Sequence, residues 1–286
     1  MSDPVRLAAS LDGPPGAPVL VLGNSLGTTR AVWDRQVPAL REHFRLLTYE
    51  HRGHGALAAG PGRAAGPGPA GGYPGRSPAP AGPYTVGQLA GDVLALLDAH
   101  GIERALYCGI SLGGMVGMWL AAHAPDRITG LGLCCTSAFL PPASLWASRA
   151  AQVRAAGLAP IAELVTGRWF TAAFRAHDPV TVRALTVSLE HTGQEGYAGC
   201  CEAIGAMDLR PALSSITAPT LVIAGAEDPA APPSHGAVIA SGIAGARLHV
   251  IRGAAHLANV SAPGEVTAAM LGHLRKASML KNPPAS

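Results

Sequence analysis

The sequence predicts an α/β fold in which a mostly parallel central sheet is flanked by helices and carries an inserted helical cap. Short apolar runs that end in Gly or Asn alternate with longer stretches of helical spacing, as strands and crossover helices do in a parallel sheet. Residues 140–210 interrupt this alternation with helical stretches alone. The chain has 286 residues, of which 48% are hydrophobic, and can therefore bury the large core that such a fold needs.

The first half of the chain alternates predicted strands with predicted helices. The strands lie in "APVLVLGNSLG" (17–27), "FRLLTYEHRGHG" (44–55), "ERALYCGI" (103–110) and "DRITGLGLCCTSA" (126–138). Helical spacing of apolar residues predicts helices in "RAVWDRQVPALREH" (30–43), "YTVGQLAGDVLALLDAHGI" (84–102) and "LGGMVGMWLAAHAP" (112–125). Because parallel strands need crossover connections, this order predicts a parallel sheet.

Residues 56–83 differ in composition from the rest of the chain. Gly and Pro dominate the stretch, and its apolar residues follow no period. Such a segment cannot bury enough apolar surface to offset the entropy lost on ordering. We expect a long flexible loop here.

The second half of the chain contains the predicted cap. Helix-like stretches such as "LWASRAAQVRAAG" (145–157) lie within residues 140–210, and strand patterns return in "APTLVIAGAEDPAAPP" (218–233) and "ARLHVIRGAAHLANVSAP" (246–263). A last helix is expected to end near Lys276. The predicted division is a core formed by 1–139 and 211–276, a cap over 140–210, and a frayed tail over 277–286.

Composition argues against several classes of function. The net charge of +3 is spread out with no basic run, so nucleic acid is not expected as a partner. The opening "MSDPVRLAAS" lacks the features of a secretory signal and no apolar run is long enough for a membrane span, which predicts a cytoplasmic protein without membrane contact. The five cysteines include two adjacent pairs and no C-x-x-C, so we expect reduced thiols and no metal site.

The stretch "YCGISLGGMVG" (107–117) places Ser111 between a predicted strand and a predicted helix, in the pattern G-x-S-x-G. A sharp strand-to-helix turn at this point would expose the serine oxygen above the sheet. The same turn would aim the amide of Leu112 at the position of an oxyanion. Ser111 is therefore the predicted nucleophile.

A serine nucleophile needs a base and a carboxylate that orients the base. In folds with this kind of turn the chain order is Ser, then acid, then His, with the last two after later strands. Asp228 and His256 fit both conditions, and Glu227 is the alternative acid. His51 and His54 are expected to hold a loop beneath the pocket, whereas surface or helix-end positions are expected for His123, His177, His191 and His273.

A second oxyanion donor is expected on the loop after the first central strand, "LGNSLGTT" (22–29). Many such enzymes carry His-Gly there, and this chain has Gly23 and Asn24 instead. The backbone amide of Ser25 is the predicted donor, and that of Leu26 is the alternative.

The chain resembles the 3-oxoadipate enol-lactonases, serine hydrolases of the β-ketoadipate pathway of aromatic catabolism that have the α/β-hydrolase fold. The resemblance spans nearly the whole chain and is most specific in "GNSLGT" (23–28) and "GYAGCCEAI" (196–204). It implies opening of the enol-lactone to 3-oxoadipate without a cofactor. Some members of the family are fused to a carboxymuconolactone decarboxylase domain, so functional coupling to such an enzyme is left open.

The implied substrate is a small carboxylated lactone, and its free carboxylate calls for a cation in the pocket. Arginine suits a carboxylate because its planar fork binds both oxygens. Arg149 is the predicted partner, with Trp146 about one turn before it on the first cap helix and facing the same way. Arg168, beside Trp169, is the alternative.

Two other functions compete with this interpretation. A different capped hydrolase, such as a carboxylesterase or a carbon-carbon bond hydrolase, would share the fold and the three predicted site residues. A catalytically silent receptor would share the fold but has no need of Ser111, Asp228 and His256 together.

Overall fold

The computed structural model describes residues 3–55 and 75–281. Within them, seven strands form one sheet in the order β1-β3-β2-β4-β5-β6-β7. The strands are β1 (Ala9–Asp12), β2 (Val19–Gly23), β3 (Arg45–Tyr49), β4 (Ala105–Ile110), β5 (Ile128–Cys134), β6 (Thr220–Gly225) and β7 (Arg247–Ile251). Every neighbouring pair is parallel except β1 with β3, which confirms the predicted mostly parallel sheet. The sequence pattern does not predict β1, whose four half-buried residues contain no apolar run.

Helices connect and flank the strands. They are α1 (Val37–Arg41), α2 (Val86–Ala99), α3 (Leu112–His123), α4 (Ala143–Ala156), α5 (Ala159–Trp169), α6 (Ala172–His177), α7 (Pro179–Glu190), α8 (Gln194–Ala206), α9 (Pro233–Gly242), α10 (Ala258–Ser261) and α11 (Pro263–Lys281). A capping box begins α2, because the Thr85 hydroxyl accepts from the Gln88 amide and the Gln88 side chain accepts from the Thr85 amide. Among the described residues, no helix combines the length and apolarity that a membrane crossing needs.

The described chain between β5 and β6 contains the five helices α4–α8 and no strand of the sheet. The two ends of this insertion meet, because Phe139 and Asp208 form an antiparallel bridge and the Leu209 amide donates to Ala138 O over 2.8 Å. Beyond this bridge, α4 packs along α8. These contacts close the insertion at its neck and hold its first and last helices together.

Only residues 75–83 of the predicted flexible loop 56–83 belong to the described chain, and 56–74 lie outside it. The Ser77 hydroxyl is buried, donates to Glu50 O and accepts from the Ala8 amide. The Gly82 amide donates to Glu195 of the insertion over 2.7 Å. Hydrogen bonds therefore attach residues 75–83 to both the core and the insertion, although this stretch has few apolar side chains.

Two predicted helix boundaries are wrong. The last helix continues beyond Lys276 to the end of α11, so residues 277–281 are helical rather than part of a frayed tail. Ala277 is 1% exposed and packs over Gly130 of β5, which gives the extra turn apolar burial. The predicted helix over 30–43 is divided into a 3₁₀ turn, Arg30–Trp33, and the short α1.

Candidate active site

Ser111 occupies a sharp turn between β4 and α3. Its backbone has φ 53° and ψ −115°, a strained conformation for a residue with a side chain. A Cβ at Gly109 would lie 2.3 Å from the Gly113 carbonyl, and a Cβ at Gly113 would lie 2.4 Å from the Gly23 carbonyl. Glycines at 109 and 113 therefore allow the chain to approach itself closely enough to form the turn.

Ser111, His256 and Asp228 form one hydrogen-bonded line at the carboxyl edge of the sheet. Ser111 Oγ lies 2.8 Å from His256 Nε2, and His256 Nδ1 lies 2.7 Å from Asp228 Oδ2. All three residues are buried, yet Ser111 and His256 line a cavity. A carboxylate only accepts hydrogen bonds, so the Nδ1 proton points to Asp228 and Nε2 is free to accept the serine proton.

Asp228 is held as an anion by its surroundings. Burial raises the pKa of Asp228, but the adjacent His256 and the amides of Ala231 and Ala230 outweigh burial and lower that pKa below its usual value. The two amides donate to Oδ1 over 3.0 and 2.8 Å. Glu227, the alternative acid, is exposed, and the carboxylate that pairs with His256 is that of Asp228.

The two predicted oxyanion donors are the amide of Leu112, at the start of α3, and the amide of Ser25, in the loop after β2. The Gly113 amide donates to Asn24 O over 2.9 Å and thereby joins the start of α3 to the loop after β2. Within the described chain, the amides of Ser25 and Leu112 donate to no other residue, which leaves both available to a ligand. Ser25 lines the cavity, and so does Leu26, the alternative donor.

His51 and His54 support the loop after β2 from beneath. His51 Nε2 donates to Asn24 O over 3.0 Å, and His54 Nε2 accepts from the Gly27 amide over 2.9 Å. His54 Nδ1 donates to Arg52 O. Burial lowers the pKa of His51 to about 3 and that of His54 to about 4, so both rings are neutral near pH 7. Both histidines fasten the backbone that carries Ser25.

The remaining predicted surface or helix-end histidines fall into two groups. His123, His177 and His191 are exposed, in agreement with the sequence pattern. His273 is 7% exposed, and its Nε2 lies 3.1 Å from the carbonyl oxygens of Leu131 and Pro219. The prediction of a surface or helix-end position is wrong for His273, because the residue lies in the middle of α11 on the side that packs on the sheet.

The cavity above Ser111 has a volume of about 390 Å³ and lies between the core and the insertion. Trp146 and Arg149 of α4 line it, and the Arg149 guanidinium carbon lies 5.0 Å from the centre of the Trp146 indole. Arg168 and Trp169 of α5 line it as well. Neither arginine forms an ion pair with a carboxylate among the described residues, so both cations are available to an anionic ligand.

Sequence reasoning missed several polar residues that line the same cavity. They are Cys135, Thr136, Tyr197 and His235. The Thr136 hydroxyl donates to Ser111 O over 2.7 Å and so holds the strained turn. Tyr197 lies in "GYAGCCEAI", so the family-specific stretch is a signal that could have pointed to it. Across residues 3–55 and 75–281, no group of three His, Cys, Asp or Glu side chains is arranged to hold a metal ion.

The sequence pattern of the alpha/beta hydrolase fold family matches residues 18–263, and that span includes Ser111, Asp228 and His256. The chain belongs to the α/β-hydrolase family. This α/β hydrolase is 39% identical to 3-oxoadipate enol-lactonase 2 of Acinetobacter baylyi over 91% of the chain and 89% of the relative. It is 34% identical to 3-oxoadipate enol-lactonase 1 of that species, over 90% of the chain and 88% of the relative.

A solved structure agrees with the fold of this α/β hydrolase. The crystal structure of the enol-lactonase from Burkholderia xenovorans LB400 superposes with a TM-score of 0.85 and 41% identity. The superposition covers 94% of this chain and 96% of that one, so it includes the insertion as well as the core.

Proposed function

We propose that this α/β hydrolase opens 3-oxoadipate enol-lactone, a small ring ester with a free carboxylate, to 3-oxoadipate. One observation carries the proposal. Ser111 and His256, which form a hydrogen-bonded line with Asp228, line a cavity that Arg149 also lines, and Arg149 has no carboxylate partner among the described residues. The names of the two Acinetobacter baylyi relatives and of the Burkholderia structure support the same substrate.

The proposed first step is attack by Ser111 on the lactone carbonyl. His256 Nε2 takes the hydroxyl proton as Oγ bonds to the carbonyl carbon, and Asp228 stabilises the imidazolium through Nδ1. The negative charge that forms on the carbonyl oxygen is held by the amides of Leu112 and Ser25. The strained backbone of Ser111 keeps Oγ above the sheet and towards the cavity.

Collapse of this intermediate breaks the bond between the carbonyl carbon and the ring oxygen. The leaving group is an enolate, which takes the proton from His256 and tautomerises to the 3-oxo group. A water molecule that gives its proton to His256 then attacks the acyl ester on Ser111. The serine oxygen recovers a proton from His256, and 3-oxoadipate leaves with its new carboxylate.

Arg149 is the proposed partner of the substrate carboxylate. It is half-buried on α4 and stacks on Trp146, whose indole N–H donates to Leu140 O over 3.0 Å. This contact fixes the indole, and the indole in turn limits the orientations of the guanidinium. Arg168 is exposed at the cavity rim, so water screens its charge more strongly.

In this proposal the helices of residues 140–210 act as a cap that supplies the carboxylate site to the core. A carboxymuconolactone decarboxylase is the proposed source of the substrate, because the enol-lactone is its product. We also propose a cytoplasmic location, in keeping with five buried free cysteines.

The test is turnover of enol-lactone generated in situ from 4-carboxymuconolactone by a separate decarboxylase. We expect rapid loss of the lactone with the wild type and none above background with Ser111→Ala. Arg149→Ala is expected to raise KM about tenfold to a hundredfold with little change in kcat, whereas Arg168→Ala changes KM less. A wild type that ignores the lactone and hydrolyses neutral aryl esters would overturn the proposal in favour of a general carboxylesterase.

A further inference from the structure

Tyr197 carries a buried hydroxyl that takes no part in the proposed reaction steps. The residue lies on α8, is 0% exposed and lines the cavity above Ser111. Its hydroxyl makes no hydrogen bond of normal geometry with any described residue. Buried polar groups are nearly always paired, so an unpaired one beside a ligand cavity calls for an explanation.

The other tyrosines of the described chain show that this state is particular to Tyr197. The hydroxyls of Tyr49 and Tyr107 lie 2.9 Å apart, and Tyr107 also donates to Gly113 O. The Tyr84 hydroxyl donates to Pro80 O. Each of these hydroxyls has a hydrogen-bond partner in the protein, whereas the buried hydroxyl of Tyr197 has none of normal geometry.

The Tyr197 ring is held in a fixed place between core and insertion. A Cβ at Gly27 would lie 3.1 Å from Tyr197 Cε2, so the ring packs on the loop that carries Ser25. At the start of α8, the Gly193 amide donates to Gly53 O over 2.9 Å, and a Cβ at Gly196 would lie 2.3 Å from Arg52 O. This close packing leaves the ring little freedom to turn its hydroxyl elsewhere.

The hydroxyl of Tyr197 lies near the guanidinium of Arg149. Burial raises the pKa of Tyr197, and the Arg149 charge partly opposes this effect. The hydroxyl therefore keeps its proton near neutral pH and is a hydrogen-bond donor. Arg149 has donors alone and no carboxylate partner in the described chain, and both residues line the cavity.

We propose that Tyr197 is a specificity-determining residue that binds the free carboxylate of the substrate together with Arg149. The Tyr197 hydroxyl donates to one carboxylate oxygen while the guanidinium holds the other. This inference rests on the proposed function, because it names a second binding group for the same substrate. A neutral ester offers no anionic acceptor, so the hydroxyl favours carboxylated substrates over neutral ones.

The test compares Tyr197→Phe with Tyr84→Phe, a matched control that removes a paired hydroxyl outside the cavity. KM and kcat are measured for the enol-lactone and for p-nitrophenyl acetate, and adipate is used as an unreactive dicarboxylate inhibitor of ester turnover. We expect Tyr197→Phe to raise the KM for the lactone and the Ki for adipate about tenfold to a hundredfold. The KM for the neutral ester and both kcat values should change less than about twofold.

A third variant tests whether both groups act on one carboxylate. The double substitution of Arg149→Ala with Tyr197→Phe should raise KM by less than the product of the two single effects, since the hydroxyl and the guanidinium share a ligand. Tyr84→Phe should leave every constant unchanged.

Two results would overturn the inference. One is an unchanged adipate Ki in Tyr197→Phe, and the other is an equal rise in KM for lactone and neutral ester, which indicates a structural role. If the wild type does not hydrolyse the lactone, the proposed function fails, and the adipate measurement still decides the role of Tyr197. If the wild type hydrolyses the lactone and the Ki for adipate is unchanged in Tyr197→Phe, the proposed role of Tyr197 fails and the proposed function stands.

Discussion

Replacing Gly113 with alanine should push the loop after β2 away from the start of α3. The new Cβ would lie 2.4 Å from the carbonyl carbon and oxygen of Gly23 and 2.9 Å from the Asn24 nitrogen. Ordinary contacts of a Cβ begin near 3.4 Å, so the loop after β2 must retreat by about 1 Å. The neighbouring atoms are backbone, and they cannot give way by a change of rotamer.

This displacement of the loop after β2 should affect kcat more than the free energy of unfolding. Overpacking costs about 1–3 kcal/mol, and the better helix propensity of alanine at this position in α3 returns up to about 1 kcal/mol. The Ser25 amide moves with the loop and away from the position of the oxyanion. A shift of about 1 Å, or the loss of one oxyanion donor, lowers kcat about a hundredfold or more.

The assay measures kcat with the enol-lactone and the free energy of unfolding by urea for Gly113→Ala and for a matched control, Gly130→Ala. In the control the new Cβ would lie 2.7 Å from Ala277 Cβ and Leu106 Cδ2, near the start of β5 and away from Ser111. We expect similar losses of stability in both variants. The value of kcat should fall about a hundredfold in Gly113→Ala alone.

Two results would refute this reasoning. A folded Gly113→Ala variant with the kcat of the wild type would show that the Gly23 carbonyl does not limit the position of Ser25. An equal loss of kcat in Gly130→Ala would show that turnover follows general stability and not the placement of the loop after β2 against α3.

Three further outcomes are expected. Asp228→Asn should lower kcat about 10⁴-fold while circular dichroism stays unchanged, because an amide does not hold the histidine tautomer; retained activity would contradict this. The free energy of unfolding, measured with urea, should show a net fall of about 2 kcal/mol from pH 6.5 to pH 5. The fall arises because His51 and His54 bind protons below pH 6.5 in the unfolded chain but not in the folded one. Burial raises the pKa of Glu50 to about 7, so Glu50 protonation stabilises the folded state over the same pH range and offsets the effect of about one histidine. A free energy of unfolding that stays constant or rises as the pH falls would contradict this expectation. Ala277→Asp should lower the free energy of unfolding by at least about 2 kcal/mol, because it buries a charge at the end of α11, and an unchanged midpoint in a thermal melt would argue against that packing.

The sequence is sufficient to predict that Ser111, Asp228 and His256 lie close together, because the strands of the parallel sheet determine their positions. Each residue follows a strand that ends in a recognisable turn, and the carboxyl ends of parallel strands lie along the same edge. The helical spacing of Trp146 and Arg149 likewise predicts that they share a face of α4. Local patterns are sufficient in both cases, because the residues are placed by secondary structure and strand order.

Tyr197 and His273 show where local patterns are insufficient. The spacing of apolar residues in α8 and α11 predicts helices, but it does not say which side of each helix the rest of the fold covers. Tyr197 faces the cavity because the start of α8 packs closely on Gly53, and His273 is buried because its side of α11 lies against carbonyls of the sheet. Both placements depend on contacts between residues far apart in the chain.

The most direct test of the proposed lactonase is the ratio of kcat/KM for the enol-lactone to kcat/KM for p-nitrophenyl acetate, in the wild type and in Arg149→Ala. We expect a wild-type ratio of at least about a hundred, which falls about tenfold or more when the guanidinium is removed. A ratio near one in the wild type, or one that Arg149→Ala leaves unchanged, would contradict a site built for a carboxylated lactone.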